Sequence, residues 1–170
     1  IARANPSRWK NEGPGNRQLA PVEMVSWMQA GAFCNLLSES EGLVSAYRIT
    51  PELITQTGVG GYRLPTEAEW EFACRAGTTT LYFTGEDSKQ LSSIAWFANS
   101  GGETTQPVAQ KLPNAFGLYD MHGNVFEWVH DVWRPDWYST LTQANAVDPR
   151  CDTGPEPRRV IRGGNYGLSA

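Results

Sequence analysis

The stretch Asp120-Met121-His122-Gly123-Asn124-Val125-Phe126-Glu127-Trp128-Val129 constrains this chain more than any other. From Asn124 onward, Val125, Glu127 and Val129 share one parity, while Phe126, Trp128 and His130 share the other. An extended strand points alternate side chains to opposite faces. Nearly all of these side chains are apolar, so the strand is expected to be covered on both sides. Glu127 is the exception. An unpaired buried charge is very costly, so this carboxylate needs a partner. Two arrangements supply one. In the first, Asp120 shares a cation with Glu127, and a kink at Gly123 turns the carbonyls of Gly123 and Val125 toward the same point. Such a hard-oxygen set suits calcium. In the second, Asp120 caps a turn and Glu127 pairs with an arginine. The spacing leaves both open.

Two helices announce themselves by their starts. Ser26 followed by Gln29 is a capping box, as is Thr66 followed by Glu69 directly after Pro65. The first helix is expected over 26–40, with Trp27, Ala30, Cys34 and Leu37 buried, Phe33 widening that face, and Gly42 stopping it. Pro65 holds Leu64 extended, so the second helix cannot begin earlier. Trp70, Ala73 and Cys74 should face inward, with Gly77 ending the helix in a left-handed cap. Glu67, Glu69 and Glu71 invite an acid/base role, yet helix capping, the helix dipole and an i,i+4 pair between Glu71 and Arg75 account for them. Further strands are expected at 47–49, 78–83 and 158–162, with 55–61 and 85–93 as connections. Trp9 is expected to anchor the opening loop in the core.

Composition excludes several functions. Fourteen basic against eighteen acidic residues give a net charge of −4 with no basic run, which argues against a nucleic-acid partner. No apolar stretch reaches membrane-spanning length. Seventeen glycines, eleven prolines and seven tryptophans describe a loop-rich fold pinned by large aromatic side chains. Cys34, Cys74 and Cys151 form no C-x-x-C pair, so a zinc site is not expected, and buried thiols in helices behave as small hydrophobes. His122 and His130 lack an H-E-x-x-H setting and read as structural histidines; there is no G-x-S-x-G elbow and no phosphate loop. The compartment is left open.

Three motifs in order carry a resemblance: Gly61-Tyr62-Arg63-Leu64-Pro65-Thr66-Glu67-Ala68-Glu69-Trp70-Glu71, then Gly117 to Trp128, then Arg159-Val160-Ile161-Arg162-Gly163-Gly164-Asn165. Together they resemble the formylglycine-generating enzyme and sulfatase-modifying factor family. The resemblance implies an α+β fold, a loop-rich variant of the C-type-lectin fold with two main helices and short antiparallel strands. It implies one domain over 1–170 that is truncated at both ends relative to family members. It also implies a structural calcium held by Asp120, Gly123, Val125 and Glu127. A second calcium near 99–105 is known in the family, but no ligands are assigned here.

The catalytic members use two cysteines to hold copper(I) and oxidise a cysteine of a client sulfatase. Leu168, three residues beyond Asn165, stands where the first of these would be, and it has no donor atom. The second would lie past Ala170. Copper is therefore not expected, and the chain reads as a non-catalytic ligand-binding or accessory domain with structural calcium. The alternatives are the copper oxidase and the C-terminal part of an iron-dependent sulfoxide synthase. A variable protein diversified by a retroelement is a further form of the binding reading. In the family the loop after the Glu-Trp strand lies near the substrate groove. Trp137 and Tyr138 are accordingly expected to form one wall of a groove, with Asn165 and Tyr166 opposite, for a peptide, protein or glycan.

Overall fold

The computed structural model describes residues 5–9, 15–50, 54–57, 60–98, 100–101, 103–155 and 157–169. Both capping boxes are present. Helix α1, Trp27–Ser40, starts with the Ser26 hydroxyl accepting from the Gln29 N–H while the Gln29 side chain accepts from the Ser26 N–H. Gly42, at φ 72°, turns the chain away after it. The buried line of α1 is rotated from the expected one: it passes through Trp27, Gly31 and Ser38, with Cys34 half-buried and Phe33 59% exposed. Gly31 and Ser38 are small because neighbours come close. A Cβ on Gly31 would collide with the Ile54 side chain. The Ser38 hydroxyl donates to the Cys34 carbonyl and accepts from the Tyr62 N–H at 2.8 Å each. Apolar counting cannot see a face built from small residues.

Helix α2, Glu67–Arg75, follows Thr66 and ends in two successive left-handed residues, Ala76 at φ 47° and Gly77 at φ 91°. Between the helices, β1 (Tyr47–Ile49) pairs antiparallel with β2 (Ile54–Gln56), so part of the expected 55–61 connection is a strand. The expected 78–83 strand is instead a set of turns with a single bridge between Tyr82 and Gly85. The 85–93 connection contains a short 3-10 turn, Ser88–Gln90, and the start of α3, Leu91–Ile94. Strand β3, Ala95–Trp96, then pairs in parallel with β4, His122–Gly123. The β3–β4 pair gains its order from a partner distant in sequence, which local pattern does not encode.

The spine is β5, Glu127–Val132, paired antiparallel with β6, Arg159–Arg162. It starts later than expected because Asn124, at φ 60°, breaks the extended run. The Asn124 side chain is buried and exchanges hydrogen bonds with the Gln106 backbone at 3.0 and 3.1 Å. The two parities of β5 do face different cores. Val129 packs with Trp70, Cys74, Met121 and Val160 on the α2 side. Trp128 packs against Trp27, Tyr47 and Ile54 on the α1 side. A third cluster, Leu91, Ile94 and Ala95, sits under Tyr82 and Phe83. Burying one indole removes roughly 200 Å² from water, on the order of 5 kcal/mol before entropy is counted. Among the described residues no helix is long and apolar enough to cross a membrane.

Candidate metal and ligand sites

The turn into β5 brings Asp120 and Glu127 together. Asp120 takes φ 56° and Gly123 φ 83°, left-handed positions on either side of the first residue of β4. A Cβ at Gly123 would run into the Trp96 backbone, which is why glycine stands there. The Gly123 N–H donates to the Gly163 carbonyl at 2.6 Å, and the Asn124 N–H donates to the Trp96 carbonyl at 2.8 Å. Both bonds lock the turn between two remote segments. The Val125 carbonyl lies beside Gly163, 3.7 Å from where a Cβ on that glycine would sit.

The electrostatics leave this pair of acids short of positive charge. Glu127 accepts from the Trp70 indole N–H at 2.6 Å, rather than from an arginine. Asp120 Oδ2 accepts from the Ala109 N–H at 2.9 Å, while its Oδ1 is buried with no hydrogen-bond partner. Burial pushes the Glu127 carboxyl above its usual range; the Trp70 bond opposes this and the Asp120 charge adds to it. An orphaned carboxylate oxygen near a second, buried carboxylate fits a cation. Among the described residues no three His, Cys, Asp or Glu side chains cluster, so a cation here must draw on backbone oxygens as well.

The four residues expected to form a groove lie in two separately anchored places. Trp137 is half-buried and Tyr138 is 51% exposed, at the start of the 3-10 turn Tyr138–Thr140. The Tyr138 hydroxyl donates to Glu67 at 3.1 Å, and burial, with the Glu67 charge, raises its pKa. Tyr166 donates its N–H to the Asn124 carbonyl, and its hydroxyl accepts from the Trp9 indole at 3.2 Å. Trp9 thus anchors the opening loop through Tyr166. The Asn165 side chain closes a local turn on Gly167. No hydrogen bond or ring contact links the two pairs among the described residues.

A cavity of about 320 Å³ opens elsewhere, beside α2 and β6, between Trp70, Cys74, His122, Phe126, Ile161 and Gly164. Sequence reasoning missed it, although the Arg-Gly-Gly motif marks one wall. Arg162 binds both Glu67 at 3.3 Å and Glu71 at 2.5 Å, with its guanidinium 5.0 Å from the Trp70 ring centre. Glu71 also holds Arg75, as the i,i+4 spacing implied. His130 is buried against Asp152 at 2.8 Å and the Trp27 and Tyr47 rings, in keeping with a structural role. The three cysteines form no disulfide.

The α+β fold defines the class, and the comparisons agree with that fold. Residues 2–170 match the sulfatase-modifying factor enzyme 1-like domain, and the chain belongs to that family. It is 33% identical to a formylglycine-generating enzyme of Thermomonospora curvata, over 93% of this chain and 50% of the relative. It is also 33% identical to the chaperone protein LppX of Paenibacillus barcinonensis, over 79% of this chain and 56% of that one. The chain thus spans about half the length of these curated relatives. Among solved structures, Treponema denticola variable protein 1 superposes with a TM-score of 0.83 at 34% identity, covering 98% of this chain and 68% of that one.

Proposed function

We propose that this chain is a non-catalytic ligand-binding or accessory domain of its family, on a lectin-like scaffold stabilised by calcium. The observation that carries the reading is Leu168. The family resemblance puts it where the first copper cysteine would be; it is half exposed and uses its backbone to hold Ala98 and Asn165. Cys34 lies in α1, Cys74 in α2 and Cys151 is buried with its Sγ toward the Thr153 carbonyl, so none stands in its place. The likeness to a variable protein and to a chaperone supports binding; the likeness to formylglycine-generating enzymes favours the oxidase as second reading.

Calcium would be held by Asp120 and Glu127 with the carbonyls of Gly123 and Val125. It would supply positive charge to two acids in an apolar setting and tie the turn to β5. Trp137 and Tyr138, with Asn165 and Tyr166, are the surface for a peptide, protein or glycan. The deciding experiment incubates the purified protein with a sulfatase peptide, copper(I) and oxygen and weighs the peptide. Its mass should not change. Conversion of the peptide cysteine to formylglycine would overturn the reading in favour of the oxidase.

A further inference from the structure

The cavity beside α2 is lined by two unlike sets of residues. The first is apolar. The Phe83 ring is stacked on His122 with centres 5.4 Å apart, which fixes it in place. Leu81, Phe126 and Ile161 line the same space, yet they remain 65%, 40% and 41% exposed. Apolar side chains that gather at one opening and stay exposed form a surface that gains by being covered. The second set is charged: Arg75 and Arg162, both bound to Glu71. We propose that this cavity binds a small aromatic monocarboxylate, its ring against Phe83, Phe126 and Ile161 and its carboxylate on Arg75 and Arg162.

Charge selects an anion. Two guanidiniums face the cavity against the single carboxylate of Glu71, while Glu67, the other partner of Arg162, is not part of the lining. One ligand carboxylate balances that excess. Donors are left for it as well. Arg75 gives its Nε–H to Glu71 at 2.9 Å and an Nη1–H to the Thr80 carbonyl at 3.0 Å. Arg162 bonds through Nη1 and Nη2, so its Nε–H has no partner among the described residues. A guanidinium carries five N–H donors, and bonds from it to a carboxylate are among the strong ones.

Size and shape narrow the class. A volume of about 320 Å³ lies at the lower end of small-molecule sites, which suits a ligand of roughly a dozen non-hydrogen atoms rather than a polypeptide or an oligosaccharide. Gly163 and Gly164, at φ 86° and 76°, line the cavity without side chains, and a Cβ on Gly164 would meet nothing within 4 Å. The turn therefore leaves the space open. A flat ring uses the aromatic lining better than an alkyl group of equal area, because offset and edge-on ring pairs add to burial. The site is distinct from the surface at Trp137 and Tyr138, neither of which lines it.

The test titrates 3-phenylpropionate into the protein in buffer containing calcium, followed by calorimetry. One equivalent should bind, with a dissociation constant on the order of 1 mM for a ligand of this size. The uncharged 3-phenylpropionamide should bind about tenfold more weakly, and 3-cyclohexylpropionate about threefold more weakly. Arg75→Gln should weaken binding about tenfold. Ile161→Glu sets a like charge at the opening and should abolish it. Val147→Ser, at an exposed apolar residue outside the lining, should leave it unchanged. Should the Arg75 or Ile161 variant fail to fold, NMR shifts in the unaltered protein read the same site. On adding 3-phenylpropionate they should gather at 81–83, 126 and 161–164. No saturable binding up to about 10 mM, equal affinity for the amide or the cyclohexyl acid, full binding by Ile161→Glu, or shifts that gather elsewhere would overturn the proposal.

Discussion

The turn at 120–127 and the loop at 133–140 are both dense in residues that draw attention in the sequence, yet they are held in opposite ways. The turn is fixed by long-range bonds: Gly123 to Gly163, Asn124 to Trp96 and Gln106, Glu127 to Trp70. The loop is closed mostly on itself. Arg134 pairs with Asp136 at 2.7 Å, the Trp137 N–H donates to the Arg134 carbonyl, and Ser139 and Thr140 bond back to Asp136 and Trp137. Its remote ties include the Tyr138–Glu67 bond, the Trp133 N–H to the Arg158 carbonyl and the Arg158 guanidinium over the Trp133 ring. The turn belongs to the folding core, whereas the loop is free to carry recognition at little cost in stability.

The largest effect should come from the core side of the turn. Trp70→Ala removes the indole that packs on Val129 and donates to Glu127, and should cost about 3–5 kcal/mol in urea unfolding. A loss under about 1 kcal/mol would mean that the turn is not core, and the contrast with the loop would collapse.

Calcium removal comes next. At a free calcium of about a hundred times its dissociation constant, binding adds about 2.7 kcal/mol. For a chain of this size a chelator should therefore lower the melting midpoint by roughly 5–10 °C. Glu127→Gln can still accept from Trp70 but loses its charge, so the chelator should move its midpoint much less. Equal midpoints for the unaltered protein with and without chelator would refute the calcium site.

What was legible in the sequence follows the same division between local and remote causes. Both capping boxes, the Glu71–Arg75 pair and the parity of β5 are written within a few residues, and each is present. The electrostatic coupling of Asp120 to Glu127 was half legible. The spacing pointed to a shared need, but that the neutral donor would be an indole from α2 depends on packing across 57 residues. Strand β2, the parallel β3–β4 pair and the small-residue face of α1 were not legible. Strand β2 closes a hairpin on β1 with no turn signature in its own run, the β3–β4 pair is fixed by a distant backbone partner, and the α1 face by how closely Ile54 and Tyr62 approach. The cavity was hidden for a similar reason: Cys74, His122 and Ile161 meet only after α2, β4 and β6 have docked.

A smaller effect tests α2 by itself. Glu69 closes the capping box and also pairs with Arg63 at 2.7 Å. The Arg63 bond, and less so the Thr66 N–H, holds the Glu69 carboxyl below the usual glutamate range, against the effect of burial. Its folded pKa is thus lower than its unfolded one. The stabilisation is present above the unfolded pKa and is lost as pH falls through the folded one. Glu69→Gln keeps an acceptor for Thr66 but not the ion pair, and should cost about 0.5–1 kcal/mol at neutral pH. That difference should shrink as the pH falls below the usual glutamate range. A difference that stays constant down to strongly acidic pH would show that shape, not charge, matters at this position.

The smallest expected effect on stability is in the loop. Trp137 is half-buried, and its backbone bonds run to Arg134 and Thr140 within the same loop. Trp137→Ala leaves those bonds intact, because they use main-chain atoms. The loss should stay under about 1 kcal/mol, a midpoint change of roughly 2–4 °C. If Trp137 is a wall of the proposed groove, the same substitution should weaken binding of whichever peptide or glycan a screen finds for the unaltered protein. Truncating an aromatic anchor at the centre of an interface typically removes 2 kcal/mol or more of binding energy, roughly a thirtyfold loss. The two measurements must separate. A loss of several kcal/mol in unfolding would place Trp137 in the core like Trp70, and the groove would lose its wall. Unchanged stability together with unchanged binding would leave the loop as surface and move the search for a ligand to the Tyr166 side.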